Sequence, residues 1–115
     1  MAIATTTIED GAVIILAPKG SLIGGDETEE LKRTLKGIQE KGTKRVIIDL
    51  KDLEYLNSTA IGVLTVAHTA LTAAGGKLVL CNVNKSINSI FLVTKLSTIF
   101  HSEDTRNDAI LAIGR

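Results

Sequence analysis

Apolar residues fall along the chain with two different periods, and the switches between them lay out the elements. Residues 5–9 and 12–18 are short β-type runs, the second rich in Val and Ile. Asp10-Gly11 between them predicts a tight hairpin turn. Pro18 has no N–H for a ladder, so it should end the second strand or lie on an edge. Gly20-Ser21 and Gly24-Gly25 then read as a loop. Asp26 is placed to cap a helix that opens with Glu27, Glu29 and Glu30, where acidic side chains complement the positive end of the dipole. Leu31, Leu35 and Ile38 recur at i, i+4, i+7, and the helix should stop near Lys41-Gly42.

Val46, Ile47, Ile48 and Leu50 form an apolar run too short for a helix, which predicts a buried strand. Residues 51–56 read as a polar connection carrying Tyr55. The longest helix runs over 58–74 and closes on Gly75-Gly76; residues 78–81 are a further buried strand. Residues 82–84 turn into a helix with Ile87, Ile90 and Phe91 on one face. A short last strand is expected at 99–101, and Thr105 with Asp108 is a capping pair for a final helix ending at Ile113. The order β-β-α-β-α-β-α-β-α predicts a single α/β domain over residues 1–115. Its sheet should be mixed but mainly parallel, opened by an N-terminal hairpin, with about four helices packed on it.

Composition narrows the function classes. Thirteen basic and thirteen acidic residues cancel, which removes the electrostatic footprint of a nucleic-acid binder. Aromatic residues are 3% of the chain, too few for base-stacking platforms. The one cysteine, Cys81, cannot form an intrachain disulfide and suits a reducing compartment. With no basic stretch before an apolar core at the start, and no apolar run of about 18 residues, the expectation is a cytoplasmic chain without a membrane segment.

The segment 49–62, DLKDLEYLNSTAIG, holds the candidate chemistry. Asn57-Ser58-Thr59 at a helix start fits ordinary N-capping. It equally fits a phosphoacceptor at Ser58, because free amides and the dipole can hold a phosphate there. Projected at 100° per residue, Ser58, Gly62, Thr65, Thr69 and Thr72 fall on one stripe without charge. Such a stripe is either covered within the fold or receives another protein. Serine hydrolysis at Ser58 needs a nearby base. His68 lies ten residues along the same helix, roughly 15 Å away, and no G-x-S-x-G elbow surrounds Ser58. Asp49, Asp52 and Glu54 are a weak candidate for a magnesium site, and Cys81 reads as a small buried hydrophobe.

With these residues the chain resembles the STAS domain, in particular the single-domain bacterial anti-sigma factor antagonists. The resemblance covers residues 5–113. It is most specific over Val46-Ile47-Ile48-Asp49-Leu50, Leu53, Tyr55-Leu56, Asn57-Ser58-Thr59-Ala60-Ile61-Gly62 and the run 75–81, GGKLVLC. It implies a STAS fold and a phosphorylated serine at Ser58, with Thr59 the less favoured acceptor. The implied partner is an anti-sigma factor that is also an ATP-dependent serine kinase. It would be bound by the unmodified chain, released on phosphorylation, and the chain reset by a phosphatase. The implied contact residues are Ser21, Leu22, Asn57, Ser58, Thr59, Ile61, Gly62 and Thr65. No cofactor, metal or catalysis is implied. Asn57 stands where the family usually has Asp, and the family's Gly-x-Leu-Asp loop here reads Gly20-Ser21-Leu22-Ile23, so two acidic residues are missing where relatives meet their kinase. Two other roles stay open: a scaffold in another signalling pathway, and a small-molecule or nucleotide sensor.

Overall fold

The structure, a computed structural model, describes residues 3–114. Its larger sheet has five strands in the order β1-β2-β4-β6-β7: β1 Ile3–Ile8, β2 Val13–Pro18, β4 Arg45–Asp49, β6 Lys77–Cys81 and β7 His101–Glu103. β1 pairs antiparallel with β2, and every other neighbour is parallel. The helices are α1 Asp26–Glu40, α2 Ser58–Ala73, α3 Lys85–Val93 and α4 Arg106–Ile113. Strand alternation splits the core in two. Leu16, Val46, Ile48, Leu78 and Leu80 face α1, α2 and α3, whereas Val13, Ile15, Ile47, Val79 and Cys81 face Ala109 and Ile113 of α4. One helix therefore covers β2, β4 and β6 on that face of the sheet.

A second, two-stranded parallel sheet corrects the expectation of one sheet. β3 Gly20–Leu22 pairs with β5 Leu53–Leu56, both within stretches read as loop and polar connection. Neither strand is long enough to show a period. In β5 only the end residues Leu53 and Leu56 are buried, and Glu54 and Tyr55 between them are exposed. Leu22, Leu53 and Leu56 join the core on the three-helix side, so the small sheet is anchored there.

Three local expectations also change. The hairpin is not a two-residue turn: Ile8 pairs with Val13, and Glu9, Asp10 and Gly11 between them all have positive φ in a single 3-10 turn. Gly25, not Asp26, is the N-cap of α1, and Gly24 N–H donates to Thr28 Oγ1 at 2.9 Å. The last strand lies at His101–Glu103 because Phe100 turns inward and is buried. Other signals held. Pro18 ends β2, Gly42 (φ 86°) follows the last turn of α1, and Thr105 Oγ1 accepts the Asp108 N–H at 3.1 Å. Among the described residues no helix is long and apolar enough to cross a membrane.

Candidate docking site at the start of α2

β5 delivers the chain to α2 through Asn57. The Asn57 N–H donates to Leu22 O at 2.9 Å, extending the β3–β5 pairing by one step, and Asn57 Oδ1 accepts the Ala60 N–H at 3.2 Å. The first amides of a helix have no partner within it, and this cap takes the third, so those of Ser58 and Thr59 are not used by it. Both of these residues are exposed. The loop after β3 packs against the same point. At Gly24 (φ 92°), a Cβ would lie 3.8 Å from Thr59 Cβ and 3.9 Å from Asn57 Nδ2.

From Ser58 to Ala73 the helix has no Asp, Glu, Lys or Arg. Ala60, Leu64, Ala67 and Leu71 form its buried side, and Ser58, Gly62, Thr69 and Thr72 are exposed. Thr65 is half-buried and returns its hydroxyl to Ile61 O at 2.9 Å. The uncharged stripe is thus outside the core. Ile61 is half-buried and packs on the core. Leu22 is corrected as a surface contact: it is buried to 1% exposure, and the apolar side chain offered to solvent from that loop is its neighbour Ile23, 59% exposed. Tyr55, opposite Ser21 in the β3–β5 register, is also exposed. As exposed side chains beside Ser21 and Ser58, Ile23 and Tyr55 escape a sequence reading because both lie in segments without periodicity. An isoleucine in a Gly-rich loop is the one signal available for the first.

Beside this surface, α1 and α2 border a groove of about 540 Å³ with Leu35, Val63, Val66 and Ala67 among its walls and Lys32 and Lys36 at the side of α1. Thr59 and Gly62 belong to the groove as well as to the stripe.

The acidic residues after β4 do another job. Asp49 is buried, and its Oδ2 accepts Arg106 Nε at 2.9 Å while Oδ1 accepts Asn82 Nδ2 at 2.9 Å and the Lys51 N–H at 3.0 Å. Burial works to raise this carboxyl, but the bonds from Asn82, Arg106 and the Lys51 amide outweigh it and hold the group below its ordinary value. Burial, with Asp49 alongside, pushes the Cys81 thiol up to about 12. Among the described residues no three His, Cys, Asp or Glu side chains are grouped as metal ligands. Neither histidine accompanies Ser58. His68 packs edge-on against Phe100 with centroids 5.9 Å apart, and His101 Nε2 contacts Glu103 at 2.5 Å in β7.

Comparison with known proteins places this arrangement. A Bordetella bronchiseptica protein, BtrV, provisionally named an anti-sigma factor antagonist, is 26% identical over 99 residues, covering 86% of this chain and 85% of its own. The crystal structure of the Thermotoga maritima protein tm1081, also provisionally named an anti-sigma factor antagonist, superposes with a TM-score of 0.90 at 22% identity, covering 98% of this chain and 95% of that one. The phosphorylated form of the Bacillus cell-fate determinant SpoIIAA matches with a TM-score of 0.77 at 17% identity, covering 97% and 99%. The STAS domain model matches residues 4–109, and the chain belongs to the STAS domain family.

Proposed function

We propose that this chain is an anti-sigma factor antagonist, acting in the cytoplasm by docking rather than by catalysis. Unmodified, it binds an anti-sigma factor through the surface of Ser21, Asn57, Ser58, Thr59, Gly62 and Thr65, with the exposed Ile23 as an added apolar contact and Ile61 beneath. The observation that carries this reading is the uncharged face running outward from Ser58, on a helix whose opposite side, Ala60, Leu64, Ala67 and Leu71, is core. The names of its relatives point the same way.

Gly62 supports it independently. Glycine inside a helix costs about 1 kcal/mol relative to alanine. A Cβ at Gly62 would meet nothing within 4 Å, and its φ is not positive, so neither packing nor backbone conformation calls for glycine here. On this reading the glycine leaves room for the partner to approach the helix closely.

Ser58 is the switch, and the partner is also its kinase. A phosphate there brings about −1.5 to −2 charges. In the free chain the helix dipole favours it by roughly 0.3–1 kcal/mol. In the docked state the same charge would be stripped of water against a neutral surface, at a cost of several kcal/mol. The interface effect is larger, so phosphorylation separates the complex and a phosphatase restores it. Thr59, also exposed but one step further into the helix, is the weaker acceptor. The test is affinity capture with the unmodified chain, followed by intact-mass measurement after incubation of the captured partner with ATP. An added phosphate absent from Ser58→Ala, together with weaker capture by Ser58→Asp, supports the reading. No phosphate, or phosphate retained in Ser58→Ala, removes Ser58 as the switch.

A second reading, a small-molecule sensor, is favoured by the groove between α1 and α2. Its volume lies in the range of ligand pockets and it reaches Thr59 and Gly62. A thermal-shift screen with nucleotides and amphiphiles separates the two.

A further inference from the structure

The free edges of the two sheets are unlike one another. β7, at one end of the five-stranded sheet, is three residues long and carries the His101–Glu103 pair. β3 is also three residues long, and its register shifts between Gly20 and Ser21. Shortness, charge and irregularity all keep an edge from pairing with another chain. β1 has none of them. Ile3–Ile8 reads Ile-Ala-Thr-Thr-Thr-Ile, without charge, Pro or Gly. All six residues pair with β2 in unbroken register, so no bulge twists the strand away. Residues 4–7, which point alternately to the two faces, are all exposed, so among the described residues no helix or loop lies over the strand. Its outer backbone groups form a straight, open ladder of β-favouring residues.

We propose that β1 is a dimerisation strand, which pairs antiparallel with β1 of a second copy about a two-fold axis at Thr6 and joins the two large sheets into one. Symmetry restricts the register. A two-fold axis relating antiparallel neighbours stands perpendicular to the sheet, so each side chain meets one that points to the same face. The axis must then pass through a residue, and Thr5 and Thr6 are the central ones. At Thr6, that residue faces its own copy, Thr5 faces Thr7 and Ala4 faces Ile8. Threonine meets threonine, apolar meets apolar, and no charges oppose one another, which is the pairing that favours a sheet. An axis at Thr5 would set Ile3, a core residue, opposite Thr7. A second copy brings this matched set of side chains with it, whereas a foreign extended segment gains the backbone bonds whatever its side chains are. The contact is one strand wide, so the dimer belongs with weak, reversible interfaces. β1 shares no residue with the Ser58 surface, and the inference stands apart from the function proposed above.

The experiment is sedimentation of the full chain over a concentration series, with oxidative cross-linking of single-cysteine substitutions. The native thiol, Cys81, is buried and pushed up to about 12, so it stays silent. The expected results are reversible dimers in the range up to about 200 µM, fast disulfide formation by Thr6→Cys, and slow formation by Thr5→Cys, whose counterpart is displaced. Thr6→Lys, which sets like charges face to face, should weaken the dimer about tenfold or more at an unchanged thermal midpoint. A monomer throughout that range overturns the proposal, as does equal cross-linking at both positions or a Thr6→Lys chain that dimerises like its parent.

Discussion

Asn57 caps its own helix by accepting the Ala60 N–H at 3.2 Å, one residue before the exposed Ser58, so capping and chemistry occupy adjacent positions. The usual family aspartate at this position could accept the same bond. Asn57→Asp should therefore keep the fold and add about 0.3–1 kcal/mol from the helix dipole. Its carboxylate would stand beside the incoming phosphate, so the phosphorylation rate should change more than partner affinity does. Thermal unfolding and initial rates with the cognate kinase check both halves. Asn57→Ala should instead cost about 0.5–2 kcal/mol.

Gly62 yields the opposite sign pattern. Gly62→Ala adds a methyl that meets nothing in the fold, so stability should rise by about 1 kcal/mol while affinity for the partner falls. Thr65→Glu should weaken docking by a different route, placing charge on the neutral face. Calorimetric binding beside urea unfolding reads both effects. A stabilised Gly62→Ala chain that binds as before would detach Gly62 from the interface.

Gly76 is constrained by space. A Cβ there would lie 2.0 Å from Lys44 O, and that oxygen is held in place by the Lys77 N–H at 2.8 Å. Gly76→Ala should destabilise by at least about 1–3 kcal/mol, the usual cost of overpacking, since backbone must move. The neighbouring Gly75 has φ 83° with open space around its Cβ position, so Gly75→Ala should cost only the left-handed penalty of about 1–2 kcal/mol. The two urea midpoints should differ accordingly.

Asp49 fixes the acid limit of stability. Its folded carboxyl lies below the ordinary value of 3.8, so its contribution is present above that value and is lost as pH falls through the lower folded one. Arg106→Gln removes one of the bonds that lower it. The expected outcome is reduced stability at neutral pH, by about 1–3 kcal/mol, and a shallower loss below pH 3.8. Unfolding free energies from pH 2 to 7, on the order of one measurement per unit, decide it.

What could be read from the sequence followed length and period. The helices over 26–40 and 58–73 and the strands around Ile47 and Val79 carry enough apolar residues to declare themselves. β3 and β5 do not. Three- and four-residue strands with two exposed positions in the middle of β5 look like loop, and only their pairing with each other makes them strands. The neutral stripe on α2 was legible because a missing charge is visible in sequence, whereas the burial of Leu22 was not. Leu22 and Ile23 are chemically alike neighbours, and the β3–β5 register alone decides which turns inward. Asp49 shows the same limit from the other side. Its sequence neighbours Asp52 and Glu54 suggest a metal site, but its partners, Asn82 and Arg106, are 33 and 57 residues away.

The single helix on one face of the large sheet sets the order in which the molecule can be finished. Until residues 106–113 have left the ribosome, Val13, Ile15, Ile47, Val79 and Cys81 form an apolar sheet surface open to water. An eight-residue helix is too short to persist alone, so α4 must form as it docks. Up to that moment a nascent chain exposes a sticky sheet face together with the unguarded edge of β1, and chaperone demand during synthesis should peak there and fall once Ala109 and Ile113 close the layer.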